Sequence, residues 1–214
     1  MRLILFNFGY QTVEESNVLK KHYLNYEQLN DKNEILKAFF VDNKINGILW
    51  NKIFRRDVLR NIKMAEGKNN EDYMIMPEIL SKTEKVIIIS DIFYNYFIRK
   101  TSIMNTPFSK KKMDRLYAAN YVIDYCKDNL EEYEVYSRIK ACFICMYTYE
   151  ELIFSKEKNK KQYKKIIKQE FDNNFNSIFK QREFLQEPKL KEIYIYLYKY
   201  IPAMASFLHR IIKR

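Results

Sequence analysis

The chain has 214 residues, 47% of them hydrophobic and 16% aromatic, with three Gly and four Pro. That is ample apolar side chain for a core and too little Gly and Pro for a disordered or collagen-like chain. The net charge of +11 is unevenly placed: residues 1–99 carry 15 basic and 13 acidic side chains, whereas residues 100–214 carry 23 and 14.

The first nine residues, Met1-Arg2-Leu3-Ile4-Leu5-Phe6-Asn7-Phe8-Gly9, hold one positive charge and a short apolar run. They lack the longer apolar region and small-residue cleavage site of a signal peptide. Residues 3–8 read as a buried strand. Residues 16–40 are polar and ambiguous, with helical spacing at Ile35, Leu36, Phe39 and Phe40. Asn46-Gly47 marks a turn. Residues 48–54 read as a short strand running into a helix around 56–60. A loop over 66–70 precedes a helix over 73–82, opened by Glu71 and Asp72 and carrying Ile75, Ile79 and Leu80 on one face. Residues 86–89 form a compact apolar strand and 92–98 an alternating one.

From Phe108 the period is helical. Ser109 is placed to cap a helix over 110–127. A longer helix spans 131–154, residues 156–168 present a lysine-dense face, and a last helix starts near Pro188, where proline suits a first turn. Pro202 is expected to kink or split it. The best division falls near Thr106–Phe108, giving residues 1–105 and a basic, Tyr-rich helical subdomain over 106–214. No stretch of 18 apolar residues occurs, so no spanning helix is expected and a cytoplasmic location is. The three cysteines, Cys126, Cys142 and Cys145, form no disulfide framework by count. Cys142 and Cys145 have C-x-x-C spacing, yet they sit on an apolar helical face without a nearby histidine and read as buried free thiols. His22 and His209 have no clustered partners and read as structural or surface residues.

Glu71-Asp72 is the sharpest chemical candidate. A carboxylate at a helix start beside a cleft can take a proton from a hydroxyl nucleophile. The plainer reading is that two acidic residues favour the positive end of the helix.

The surrounding residues bear on that choice. Trp50, Lys52, Phe54, Arg55 and Arg56 come first, then Glu66 and Gly67, then Glu71 and Asp72. After a strand follow Tyr94, Tyr96, Arg99, Ser102, Ile103 and Met104. In this order and spacing they resemble the second half of a bacterial family 2 glycosyltransferase. Members often read Trp-x-Lys-Leu-aromatic-Arg-Arg, Glu-Gly, Glu-Asp and Tyr-x-Tyr-x-x-Arg-x-x-Ser-Ile-Met. The resemblance covers roughly residues 1–105, with 106–214 as a variable helical tail. It implies an α+β fold, a partial GT-A half with few strands, followed by an all-helical subdomain. It implies inverting transfer of a sugar from a nucleotide sugar to a glycan or lipid-linked acceptor in cell-surface polysaccharide synthesis. Asp72 would be the base, with Glu71 supporting it or touching acceptor. Trp50, Asn51 and Lys52 would line the acceptor side, and Arg99 and Ser102 would lie near the diphosphate.

The family's front half carries a βαβ nucleotide fold and an Asp-x-Asp motif that holds Mg or Mn against the leaving diphosphate. These 214 residues contain no Asp-x-Asp and no glycine-rich phosphate loop. No metal ligand set or cofactor site is therefore expected in this chain, and the half present is expected to be inactive alone. Its strands would leave sheet edges uncovered, which predicts a homodimer, a partner chain or marginal stability.

The alternative to a transferase is a non-catalytic remnant or interaction module. The lysine-dense segment and the tail, with Tyr194, Tyr196, Tyr198 and Tyr200, also suit an anionic membrane surface at the inner face of the cell membrane. Basic charge permits nucleic-acid binding, but no recognition motif supports it.

Overall fold

The computed structural model describes residues 4–13, 26–97, 107–180 and 189–212. The protein is α+β with a helical C-terminal part. It divides into two compact units. One takes residues up to Ala65 and from Glu71 to Thr106; the other takes Glu66–Asn70 and Pro107–Arg214.

The first unit is built on a four-stranded mixed sheet of order β2-β4-β1-β3. Strand β1 is Ile4–Val13, β2 Tyr26–Leu29, β3 Lys52–Phe54 and β4 Lys85–Phe97. The long strands β1 and β4 run parallel at the centre, and β3 and β2 flank them antiparallel. A parallel pair needs a long crossover. Here it contains helix α1, Lys32–Phe40, and helix α2, Glu71–Ser81. The sheet's own edges are the two shortest strands, a common way to blunt an edge.

Several expected elements change. The two apolar runs over 86–89 and 92–98 are one strand. Its register with β1 slips where Ile89 pairs with Phe8 and Ile92 with Gly9, so Ser90 and Asp91 form the irregularity that breaks the sequence pattern in two. Ile98 lies outside the described residues. The strand expected over 48–54 shrinks to Lys52–Phe54, and the helix expected near 56–60 is a 3-10 turn, Arg56–Leu59. There Asp57 pairs with Arg55 at 3.1 Å and with Arg60 at 3.2 Å.

Helix α1 begins at Asp31, whose side chain accepts from the amides of Asn33 (2.8 Å) and Glu34 (3.1 Å). Its Ile35, Leu36, Phe39 and Phe40 are buried, as the 3.6 period requires. Helix α2 buries Met74, Ile75, Met76, Ile79 and Leu80, and Val86 of β4 is fully buried in the same unit.

The second unit is helical: α3 Asp114–Asn129, α4 Glu134–Ile153, α5 Lys160–Lys180, α6 Lys189–Tyr200 and α7 Pro202–Ile212. Helix α4 packs against α3, α5, α6 and α7. Ser109 does not cap an α-helix: it precedes a 3-10 turn, Lys110–Met113, and makes no side-chain capping bond. The helix expected over 131–154 likewise starts as a 3-10 turn, Glu131–Tyr133. Pro202 splits the C-terminal helix, whereas Pro188 lies outside the described residues. The core is aromatic and sulfur-rich, with Cys142, Cys145, Tyr149, Phe171, Phe175 and Tyr198 in one cluster. All three cysteines are free and buried, and burial pushes their thiols up, Cys126 to about 12. His209 accepts or donates one bond at Nδ1, 2.7 Å from Glu150, and stacks on Tyr194, which marks it as a packing residue. His22 lies outside the described residues. No described helix is long and apolar enough to cross a membrane.

Candidate functional site

The loop between α1 and β3 and the first turn of α2 meet within the first unit. Gly47 permits the approach. A Cβ there would stand 2.7 Å from Tyr73 Cδ2 and 3.3 Å from Tyr73 Cα, so any side chain would push the loop off the helix.

The loop then folds around one ammonium group. Lys52 Nζ donates to Asn46 Oδ1 (2.7 Å), to the Ile48 carbonyl (2.7 Å) and to Asn51 Oδ1 (2.8 Å). An ammonium has three N–H donors, and all three are spent on protein acceptors. Asn51 is 2% exposed and Lys52 8%. Burial pulls Lys52 down to about 7, against the opposing pull of the Asp72 carboxylate.

Asp72 occupies the first turn of α2 beside Glu71, and both are half-buried. Its Oδ1 accepts from the Tyr73 amide at 2.8 Å. Burial raises the Asp72 pKa and the neighbouring Glu71 charge adds to the rise, while the backbone amides and Lys52 restrain it. A carboxylate raised in this way is a stronger base than a solvated aspartate. Trp50, directly before the buried pair, stacks on Tyr94 of β4 with centroids 4.6 Å apart and planes 30° apart. Both rings are partly exposed, which leaves an aromatic surface beside the polar cluster.

Of the residues singled out from sequence, the structure thus brings together Trp50, Asn51, Lys52, Glu71 and Asp72, and sets Tyr94 of the same motif against Trp50. Arg99 and Ser102 lie outside the described residues. Glu66 and Gly67 belong to the helical unit, where Gly67 adopts φ +70°, a left-handed turn that favours glycine. Asn46, the third support of Lys52, was not singled out. Its signal was the Asn-Gly dipeptide, which reads as a generic turn.

Among the described residues no group of three or more His, Cys, Asp or Glu side chains could hold a metal ion. No step below passes through a metal ion.

No protein-family model matches the chain, and no curated protein matches it in sequence.

Proposed function

We propose that the first unit is the acceptor side of an inverting glycosyltransferase, with Asp72 as its general base. One observation carries this reading: a half-buried carboxylate with raised basicity stands on a helix start, electrostatically coupled to a caged lysine and in the same unit as an aromatic platform.

The acceptor sugar would lay an apolar ring face on Trp50 and Tyr94. Asp72 would take the proton from the attacking hydroxyl. The hydroxyl oxygen forms its bond to the anomeric carbon as the bond to the nucleoside diphosphate breaks on the opposite face, which inverts the centre. Lys52 has no N–H left for substrate, so it acts as a positioning residue: it fixes Asn51 and the loop that carries Trp50, and its charge weakly opposes the rise in the Asp72 pKa. The donor's diphosphate would be held by a companion half of the family type, on this polypeptide or another, in a cytoplasmic enzyme of cell-surface polysaccharide synthesis working near the membrane's inner face.

The test is transfer of radiolabelled sugar from a panel of nucleotide sugars by the native protein, isolated from its own cells with whatever it is joined to. Turnover that disappears in Asp72→Asn supports the reading. Turnover that Asp72→Asn leaves intact removes Asp72 from the mechanism. No turnover with any donor favours an interaction module instead.

A further inference from the structure

The helical unit contains a pocket of about 240 Å³ between α5, α6 and the start of α7. Four lysines line it, Lys164, Lys165 and Lys168 from α5 and Lys199 from α6, against a single carboxylate, Asp172. That carboxylate is already engaged, since Lys199 Nζ stands 2.9 Å from Asp172 Oδ1. Lys164 and Lys168, at i and i+4, share one face of α5, and Lys165 lines the pocket from the adjacent position. Two of the four lysines are also held by rings, with Lys199 Nζ 5.2 Å from the Phe175 centroid and Lys164 Nζ 5.7 Å from that of Tyr149.

The floor is aromatic, from Tyr149, Phe171 and Tyr198. Tyr198 is a core residue of the helical unit. Its side chain is 2% exposed, and its hydroxyl has no hydrogen-bond partner among the described residues. A buried donor without an acceptor is costly and calls for an explanation. Burial also keeps that hydroxyl protonated, because it raises the Tyr198 pKa far above its ordinary value. Pro202, the first residue of α7, also lines the pocket, as do Tyr198 and Lys199 from the last turn of α6.

We propose that this pocket is a phosphate-binding subsite, taking a phosphate monoester or diphosphate group. The excess of ammonium charge over carboxylate favours a compact, multiply charged oxyanion. The volume admits a phosphate with a few further atoms, and the aromatic floor suits an apolar or ring-shaped remainder. The pocket lies wholly in the helical unit and is independent of Asp72.

The test is isothermal titration of the full chain with inorganic pyrophosphate at 0.15 M salt. Three variants report on it: Lys165→Ala with Lys168→Ala, both exposed side chains; Tyr198→Phe, which removes only the hydroxyl; and Lys156→Ala with Lys158→Ala, which removes equal charge outside the pocket. The expected result is an affinity loss of about tenfold or more for the first, and none for the second and third, in line with charge-assisted bonds from the lysines. Vesicles containing phosphatidic acid or phosphatidylglycerol identify the source of the phosphate. Pyrophosphate binding without vesicle binding points to a soluble ligand. Binding to phosphatidic acid vesicles that pyrophosphate competes away points to a lipid-borne monoester in the same pocket. Equal binding to both vesicle types without competition, equal losses in the two lysine pairs, or no binding of pyrophosphate and vesicles alike would overturn the proposal.

Discussion

Lys52 offers the most exacting test of the polar cluster, through Lys52→Met. Methionine keeps the length and the apolar stem but deletes the donor to Asn46, Ile48 and Asn51. Asn51 is 2% exposed, so its Oδ1 cannot turn to water. Taking a hydrogen-bond donor away from buried acceptors costs about 1–3 kcal/mol. Against this, the variant escapes the desolvation of a buried charge, which is what pulls Lys52 down to about 7 from 10.5. Between those two values the unfolded chain still holds the proton that the folded protein has released. Stability attributable to Lys52 therefore rises with pH across that window, by about 1.4 kcal/mol per pH unit. Below about 7 both states are protonated, and the desolvation cost is borne in full. The variant should be roughly 1–3 kcal/mol less stable than the wild type at pH 8.5, and the gap should shrink by roughly 2 kcal/mol at pH 6. Urea unfolding followed by Trp fluorescence measures this locally, because the protein's single tryptophan is Trp50, two residues away. With a urea slope of about 1–3 kcal/mol per molar, the pH 8.5 gap is about 1 M in midpoint. A gap that is independent of pH, or that widens on acidification, would refute the burial of a titrating lysine at this site.

Two further substitutions probe the frame around the sites. Gly47→Ala places a Cβ 2.7 Å from Tyr73 and should cost about 1–3 kcal/mol in the same unfolding experiment; a loss under about 0.5 kcal/mol would mean the loop does not lie on α2. In the helical unit, Glu151 accepts from the buried Lys112 at 2.8 Å and from Arg115 at 2.9 Å. Glu151→Ala strands the Lys112 ammonium and should lower stability by about 2–4 kcal/mol, less than for a fully buried pair because Glu151 is partly exposed. Circular dichroism at 222 nm on heating reads this out, and an unchanged melt would place Lys112 in water.

Much of the fold was readable from the chain. The 3.6 period of Ile35, Leu36, Phe39 and Phe40 marks α1, and Pro202 ends one helix and starts the next because it lacks an N–H. Strand β2 was missed, since Tyr26–Leu29 is four residues with three exposed and gains its identity only by pairing with β4. β4 looked like two strands, because Ser90 and Asp91 interrupt the apolar pattern where the ladder itself slips register. Within the candidate site, residue type and helix position pointed to Glu71 and Asp72, and the family resemblance to Trp50, Asn51 and Lys52. What the types do not carry is distance. That Lys52 spends its donors on Asn46, Ile48 and Asn51, and that Trp50 lies on Tyr94, depends on a loop packed against a helix some 25 residues later in the sequence, through the one glycine small enough to allow it. The lysine-dense face over 156–168 gave no sign of a pocket, because Tyr198 and Pro202 line it from helices that no local pattern links to α5.

The central claim is that Asp72 removes the acceptor's proton. It is tested most directly by single-turnover transfer from a radiolabelled nucleotide sugar, comparing the native enzyme with its Asp72→Asn form at matched Trp50 fluorescence and unfolding midpoint. Loss of a general base predicts a fall in the chemical rate of about 10²–10⁴-fold, with the fold intact. A rate within about threefold of wild type would contradict the account.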